Sequence, residues 1–363
     1  MLARWMIVAA GLAFLPLSLT AQEVAQEPLL SERFPTPEQG VMRFRHTLTQ
    51  EFAGLKVETV DDVIQLHEKI DALNLTPQQF EDGQWYRLLG IEKIPRKLPP
   101  PPPLPPGSKA ENVITFPEWR AAEVVFRPNH IVQRDFMDDE YQGIYAETPQ
   151  SSLDMSITPR TRQIRHDEPG GQRFYYRNQR VLLSREKDLL DRTYTTKKLG
   201  QRELITVPIN ERFETLFLVD PNSDSILARI LAGNSNRVGN FTLHFQPQLP
   251  NEKHDISIPS YSIEFRGTGG ATCRTSSYVL TEVDFNTPVE EKQLQVPGKK
   301  GDLYVDGNSF HRFSTRLPFD IEDVSALTPM LAQKLIQSEQ RRQAEERRKQ
   351  LEAVDAEEEG AEL

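Results

Sequence analysis

Between residues 113 and 320, apolar positions come in short runs, many alternating with polar ones. Val113–Phe116, Ala122–Phe126, Phe174–Tyr176, Val181–Leu183, Leu204–Val207, Thr215–Val219, Phe241–Phe245, Tyr261–Phe265, Tyr278–Phe285 and Leu303–Val305 are rich in β-branched and aromatic residues. Runs of that kind favour strands with one face buried. Turn formers separate them: Pro169-Gly170-Gly171, Asp220-Pro221-Asn222, Pro297-Gly298 and Asp306-Gly307. The spacing predicts an antiparallel sheet, curved as a half barrel or folded into a sandwich. A short helix is expected around Ser225–Ala232.

Residues 31–95 read as helical instead. Pro37 and Glu38 open a segment that Gly54 ends. Thr59 precedes Val63, Leu66, Ile70 and Leu73, which share one helix face, and so reads as an N-cap. Thr76, Pro77 and Gln79 stand at the cap, first-turn and capping-box positions of a second helix. Phe80, Trp85, Leu88 and Leu89 supply its apolar contacts, and Gly90 stops it. A last helix is expected from Thr328-Pro329, with Leu331, Leu335 and Ile336 as an initial stripe. From Glu339 the chain becomes rich in charge and ends in the acidic run Asp355–Glu362, which reads as a solvated helix fading into disorder. A coiled-coil or docking segment is the sharper reading, but a sustained heptad seam is missing.

The run from Leu98 to Pro106 holds seven prolines and reads as a stiff polyproline spacer. The expected class is therefore α+β. A helical module (22–95), a proline-rich linker (96–112), an antiparallel β-rich domain (113–325) and a charged helical or disordered tail (326–363) follow a leader (1–21). The leader carries Arg4, an apolar stretch from Met6 to Leu19, and Ala21 at the expected cut. Its apolar stretch is short for a membrane span and suits a cleaved signal peptide.

Charge and cysteine content narrow the setting. The chain has 363 residues, a net charge of -10 and one cysteine, Cys273. An internal disulfide is thus impossible, and no cysteine follows the leader to carry a lipid anchor. With the short leader, this favours a Gram-negative periplasm over a disulfide-built secreted domain. The acidic balance argues against nucleic acid as a partner. No segment after the leader is apolar enough to span a membrane.

Candidate chemistry is sparse. The histidines are scattered, and only His244 and His254 stand close enough to meet across a turn as metal ligands, with no third ligand indicated. The stretch Arg266-Gly267-Thr268-Gly269-Gly270-Ala271-Thr272-Cys273-Arg274 lacks the Gly-Lys-Ser/Thr ending of a phosphate loop. Cys273 as a nucleophile needs a thiolate-stabilising neighbour, for which adjacent Arg274 is weak support. The stretch reads as a glycine-rich hairpin connection. No catalytic residues, metal or cofactor are assigned.

Arg127-Pro128-Asn129-His130-Ile131 resembles the Arg-Pro step early in the LolA-like periplasmic lipoprotein-carrier superfamily. Phe241–Pro247 and Tyr261–Phe265 match its middle strands. Val283-Asp284-Phe285-Asn286 and Leu294–Gly298 match its closing strands. The resemblance implies a half barrel closed by helices whose concave face holds acyl chains without catalysis, with Phe174, Tyr176, Phe241 and Phe245 as lining candidates. The helices here precede the proline run, which departs from that pattern. Two readings stand. One is a non-enzymatic envelope scaffold that binds other envelope proteins through the helical module or the tail. The other is a carrier of a lipid or acyl chain. An enzyme using Cys273 or a histidine-held metal is a third, weaker reading.

Overall fold

The computed structural model describes residues 29–95 apart from 35, 36 and 48, and residues 119–167 apart from 129, 138–139, 149–151 and 158–161. It further describes 192–306 apart from 234–236, 249–257, 268, 269 and 271, then 314–325, 333–334, 337–338 and 341–349. The leader, the proline run, and the strands expected at 113–116, 174–176 and 181–183 lie outside these residues.

The chain opens with α1 (Leu30–Arg33), β1 (Gly40–Thr47) and β2 (Gln50–Ala53), followed by α2 (Val60–Asp71), α3 (Pro77–Glu81), α4 (Gln84–Leu88) and β3 (Glu92–Ile94). Next come β4 (Trp119–Arg127), β5 (His130–Met137), β6 (Glu140–Glu147), β7 (Ser152–Ile157) and β8 (Arg162–Asp167). Then follow β9 (Thr195–Leu199), β10 (Arg202–Pro208), β11 (Phe213–Asp220), β12 (Ser225–Gly233), β13 (Val238–Gln248), β14 (Ile258–Arg266) and β15 (Thr272–Asp284). A short α5 (Glu291–Leu294), β16 (Leu303–Asp306) and β17 (Ser314–Arg316) complete the sheet region, and residues 341–349 form α6.

All 17 strands belong to one sheet. Cα registers run laterally from β9 through β10, β11, β12, β13 and β14 to β15. They continue through β1, β4, β5, β6, β7, β8 and β16 to β17. Every pairing is antiparallel except β8 with β16. The ladder is open, because β9 and β17 each have one strand neighbour among the described residues. Beyond β1, β2 takes up the same side of β15, and β3 flanks β2. Ile94 lies opposite Glu51 and Trp119 opposite Thr47. Residues 95–118 therefore join two strands on the same side of β1 and β2.

This corrects the α+β expectation to a predominantly β chain with a few short helices. Residues 37–54 hold β1 and β2 rather than a helix. The deciding pattern is the two-residue alternation of β1, where Met42, Phe44 and His46 are buried on one face. Ser225–Ala232 is likewise a strand, since Ala228, Ile230 and Ala232 point together into the core while Arg229 and Leu231 face the other way. Leu294 ends a helical turn, and Gly298 makes only an isolated bridge to Ile321, so Leu294–Gly298 is not a closing strand.

The helical signals that do hold are the capped ones. Thr59 accepts from the Asp62 N–H while the Asp62 carboxylate accepts from the Thr59 N–H. Thr76 and Gln79 form the same reciprocal pair at the start of α3, with Pro77 in its first turn. Each pair satisfies donors that the first turn leaves open.

Four apolar clusters flank the sheet. On one face, α2–α4 cover β11–β15 and β2. On that same face, residues 289–296 and 317–324 cover β4–β8 and β16. On the opposite face, α1 packs on β10 and β11, and Phe285 packs over β1 and β4. Between the first two clusters runs a charged band. Arg43 binds Glu123 at 3.0 Å and Glu282 at 2.5 Å, and Arg45 binds Glu81 at 2.5 Å. Arg134 donates to the carbonyls of Gln293 and Gln295.

Candidate functional site

The largest apolar tract lies beneath α2–α4. Alternation delivers it: Phe241, Leu243 and Phe245 from β13 stand beside Phe265, Ile263 and Tyr261 from β14, in that register. Ala228 and Ile230 extend it on one side, and Cys273, Val279 and Phe52 on the other. Phe241 stacks on Phe265 with centroids 4.6 Å apart, and Phe245 on Tyr261 at 5.2 Å. The cover answers with its own rings. Phe80 lies 4.3 Å from Tyr261, and Trp85 lies 5.3 Å from Phe52 and 6.1 Å from Phe265.

Polar contacts fasten the cover to the strands at its margin. The Leu75 carbonyl accepts from Gln246 Nε2 at 2.7 Å and from the Tyr261 hydroxyl at 3.4 Å. Val238 N–H donates to the Glu58 carbonyl at 2.9 Å, and Arg202 pairs with Glu68 at 3.2 Å. Burial pushes the Tyr261 hydroxyl up to about 12, which keeps it a neutral donor. Inside the margin, His67 of α2 donates from Nε2 to the His244 carbonyl at 2.9 Å. A carbonyl can only accept, so this contact fixes the protonated nitrogen.

Of the lining candidates, Phe241 and Phe245 lie on the same face of β13 in this tract, on either side of Leu243, 2% and 1% exposed, and each is in contact with another ring of the protein. Phe174 and Tyr176 lie outside the described residues. Sequence reasoning passed over Tyr261, Ile263, Phe265, Phe52 and Trp85 as partners. The alternation within Tyr261–Phe265 was the available signal for three of them. Phe52 was hidden by its assignment to a helix.

The reactive candidates are elsewhere engaged. The His244 ring points to the opposite face, where Nδ1 is 2.9 Å from Ser262 Oγ. Full burial, with His67 nearby, lowers it to about 3, so the ring is neutral. His254 lies outside the described residues, and among the described residues no cluster of three His, Cys, Asp or Glu is placed to hold a metal. Cys273 is 1% exposed, and burial pushes its thiol up to about 11. The Arg274 guanidinium turns away to Glu51 at 3.0 Å, and the backbone hydrogen bond from Arg266 does not offset the burial that favours the neutral thiol. The glycine-rich stretch begins the β14–β15 connection, with Gly267 in the left-handed region at φ 69°. In α6, Arg342–Glu346 and Glu345–Lys349 pair along an exposed surface that carries no apolar stripe. Among the described residues no helix is long and apolar enough to cross a membrane.

No family model and no curated protein matches the chain. Among solved structures, it is similar to a LolA superfamily protein from Nitrosomonas europaea, with a TM-score of 0.40 and 8% identity over 74% of this chain and 94% of that one. A putative outer membrane lipoprotein-sorting protein domain from Vibrio parahaemolyticus gives a TM-score of 0.39 and 7% identity, covering 73% and 92%. A DUF1329 family protein from Desulfovibrio piger gives a TM-score of 0.39 and 7% identity, covering 73% and 95%.

Proposed function

We propose that this protein is a non-catalytic carrier of the cell envelope that takes an apolar chain, such as the acyl chain of a lipid, between α2–α4 and the sheet. One observation carries the reading. A broad aromatic tract is closed by short helices rather than by a second sheet. Helices of five residues, such as α3 and α4, do not hold their shape in water alone. Their fold depends on the tract they cover, so this cover is the natural unit to lift. Lifting it breaks a few marginal hydrogen bonds and exposes rings that an acyl chain can cover again.

The envelope setting rests on the apolar leader pattern and the single buried cysteine. The scaffold reading is less well supported, since the described part of the tail helix offers charge but no apolar face for a partner.

The test is uptake of a fluorescent fatty acid by the purified chain, followed by displacement with palmitate. The expected result is saturable binding with Kd in the range of about 1 μM. Phe245→Leu, which keeps an apolar side chain in place, weakens uptake severalfold. Absence of saturable uptake overturns the reading.

A further inference from the structure

Beside the apolar tract, where α3 and α4 approach the charged band, lies an open cleft of about 430 Å³. That is within the size range of small-molecule sites. Its wall combines aromatic faces with hydrogen-bonding side chains: Trp119 and Tyr86 on the one hand, Glu81, Gln84, Gln50 and Ser277 on the other. Trp119 donates its indole N–H to the Glu81 carbonyl at 3.1 Å, which pins the ring in the wall.

Ser277 gives the second, independent observation. It is 1% exposed and lines the cleft, yet its Oγ is buried and has no hydrogen-bond partner among the described residues. Its backbone N–H is satisfied by Thr47 Oγ1 at 2.9 Å, so only the hydroxyl is left over. A buried hydroxyl without a partner is destabilising, and turning it toward a bound ligand's hydroxyl would recover the lost bond.

Charge selects the class of ligand. Glu81 is paired with Arg45 at 2.5 Å. The Asp82 carboxylate accepts from Gln78 at 3.0 Å, and Arg87 donates to the Asp82 carbonyl at 2.7 Å. Only Glu81 is ion-paired, but the formal charges of Glu81, Asp82, Arg87 and Arg45 sum to zero, which leaves no net charge to hold an isolated cation or anion. The many polar side chains suit an acyl chain poorly. A neutral ring with an apolar C–H face and hydroxyls on its rim meets both kinds of wall: the face stacks on the indole, and the hydroxyls bond to amide, carboxylate and serine.

We propose that this cleft binds the neutral sugar ring of a saccharide, with a C–H face against Trp119 and a hydroxyl on Ser277 Oγ. The site shares Phe80 and Trp85 with the cover of the acyl-chain tract but does not rest on the carrier reading.

The test uses the full chain with methyl β-glucoside, methyl β-galactoside, N-acetylglucosamine and maltose, and with choline and inorganic phosphate as charged comparators. Saturation-transfer NMR and tryptophan emission report binding. At least one sugar is expected to bind with Kd of about 1 mM or tighter. Trp119→Ala and Ser277→Ala each weaken it tenfold or more, while Trp119→Phe retains it. If Trp119→Ala loses its fold by circular dichroism, the smaller Ser277→Ala change decides. The proposal is overturned if no sugar in the set binds at about 10 mM. Binding of choline or phosphate in the sugars' place overturns it too, as does unchanged sugar binding in Ser277→Ala.

Discussion

The imidazole of His67 lies flat on the ring of Phe245, with centroids 4.9 Å apart and planes 7° from parallel. The same imidazole donates to the His244 carbonyl, so one side chain both packs and bonds α2 to β13. His67→Ala removes the stack and the bond together and is expected to destabilise the chain by about 2–4 kcal/mol. His67→Phe keeps the stack and loses the bond, at about 1–2 kcal/mol. Urea unfolding separates the two. Equal stability of the two variants would mean that the stack contributes nothing, and a His67→Phe variant as stable as the wild type would mean that the bond contributes nothing.

Burial holds His46, His67 and His244 below the ordinary imidazole range, His244 at about 3. As pH falls through about 6.5, the unfolded chain takes up protons at these positions before the folded chain does. Stability therefore falls with falling pH, by up to about 1.4 kcal/mol per pH unit for each such histidine. For His244 the loss continues until pH nears its folded value. The urea midpoint should drop steadily from about pH 7 to about pH 4.5. Carboxylates that are held low, such as Asp62, contribute only further down. His244→Gln should flatten the slope, and a flat wild-type profile in this window would contradict the burial of neutral rings.

Cys273 is neutral and enclosed by Phe52 and the β14–β15 apolar positions. A disulfide thiol reagent at about pH 8 should modify it only as fast as the chain opens. Addition of urea past the unfolding midpoint should make the reaction immediate. Rapid modification of the native chain would contradict the burial described above.

Gly40 begins β1 where a Cβ would lie 2.8 Å from the Asp284 carbonyl and 2.4 Å from the Phe285 ring. The carbonyl is part of the paired strand β15 and has little room to give. Gly40→Ala is expected to cost about 1–3 kcal/mol through overpacking. Thr59→Ala loses the α2 cap and should cost about 1 kcal/mol. Thermal unfolding checks both. If Gly40→Ala is neutral, the close approach of the two strands is wrong.

Much of the sheet was legible because alternation is a local property. Thr215–Val219, Phe241–Phe245 and Tyr261–Phe265 each fall inside strands, although both faces are buried there rather than the one face expected. The capped helices were legible for the same reason, since Thr59 with Asp62 and Thr76 with Gln79 act over one turn. What sequence reading lost was long-range. Gly40–Thr47 becomes a strand because β15 and β4 pair with it on both sides, and those partners are distant in sequence. Ser225–Ala232 has helix-forming Ala and Leu, and its neighbours β11 and β13 override that preference. At the candidate site, Phe241 and Phe245 were singled out, but the cover was not foreseen. Nothing local in Phe80 or Trp85 says which strands they meet.

Native mass spectrometry of the full chain, released gently from an expressing Gram-negative host, tests the carrier account most directly. A carrier should arrive with an acyl-containing adduct that organic extraction removes and identifies, and Phe245→Leu should arrive with less of it. A protein that arrives at its bare polypeptide mass, and stays so after incubation with phospholipid vesicles, would contradict the account.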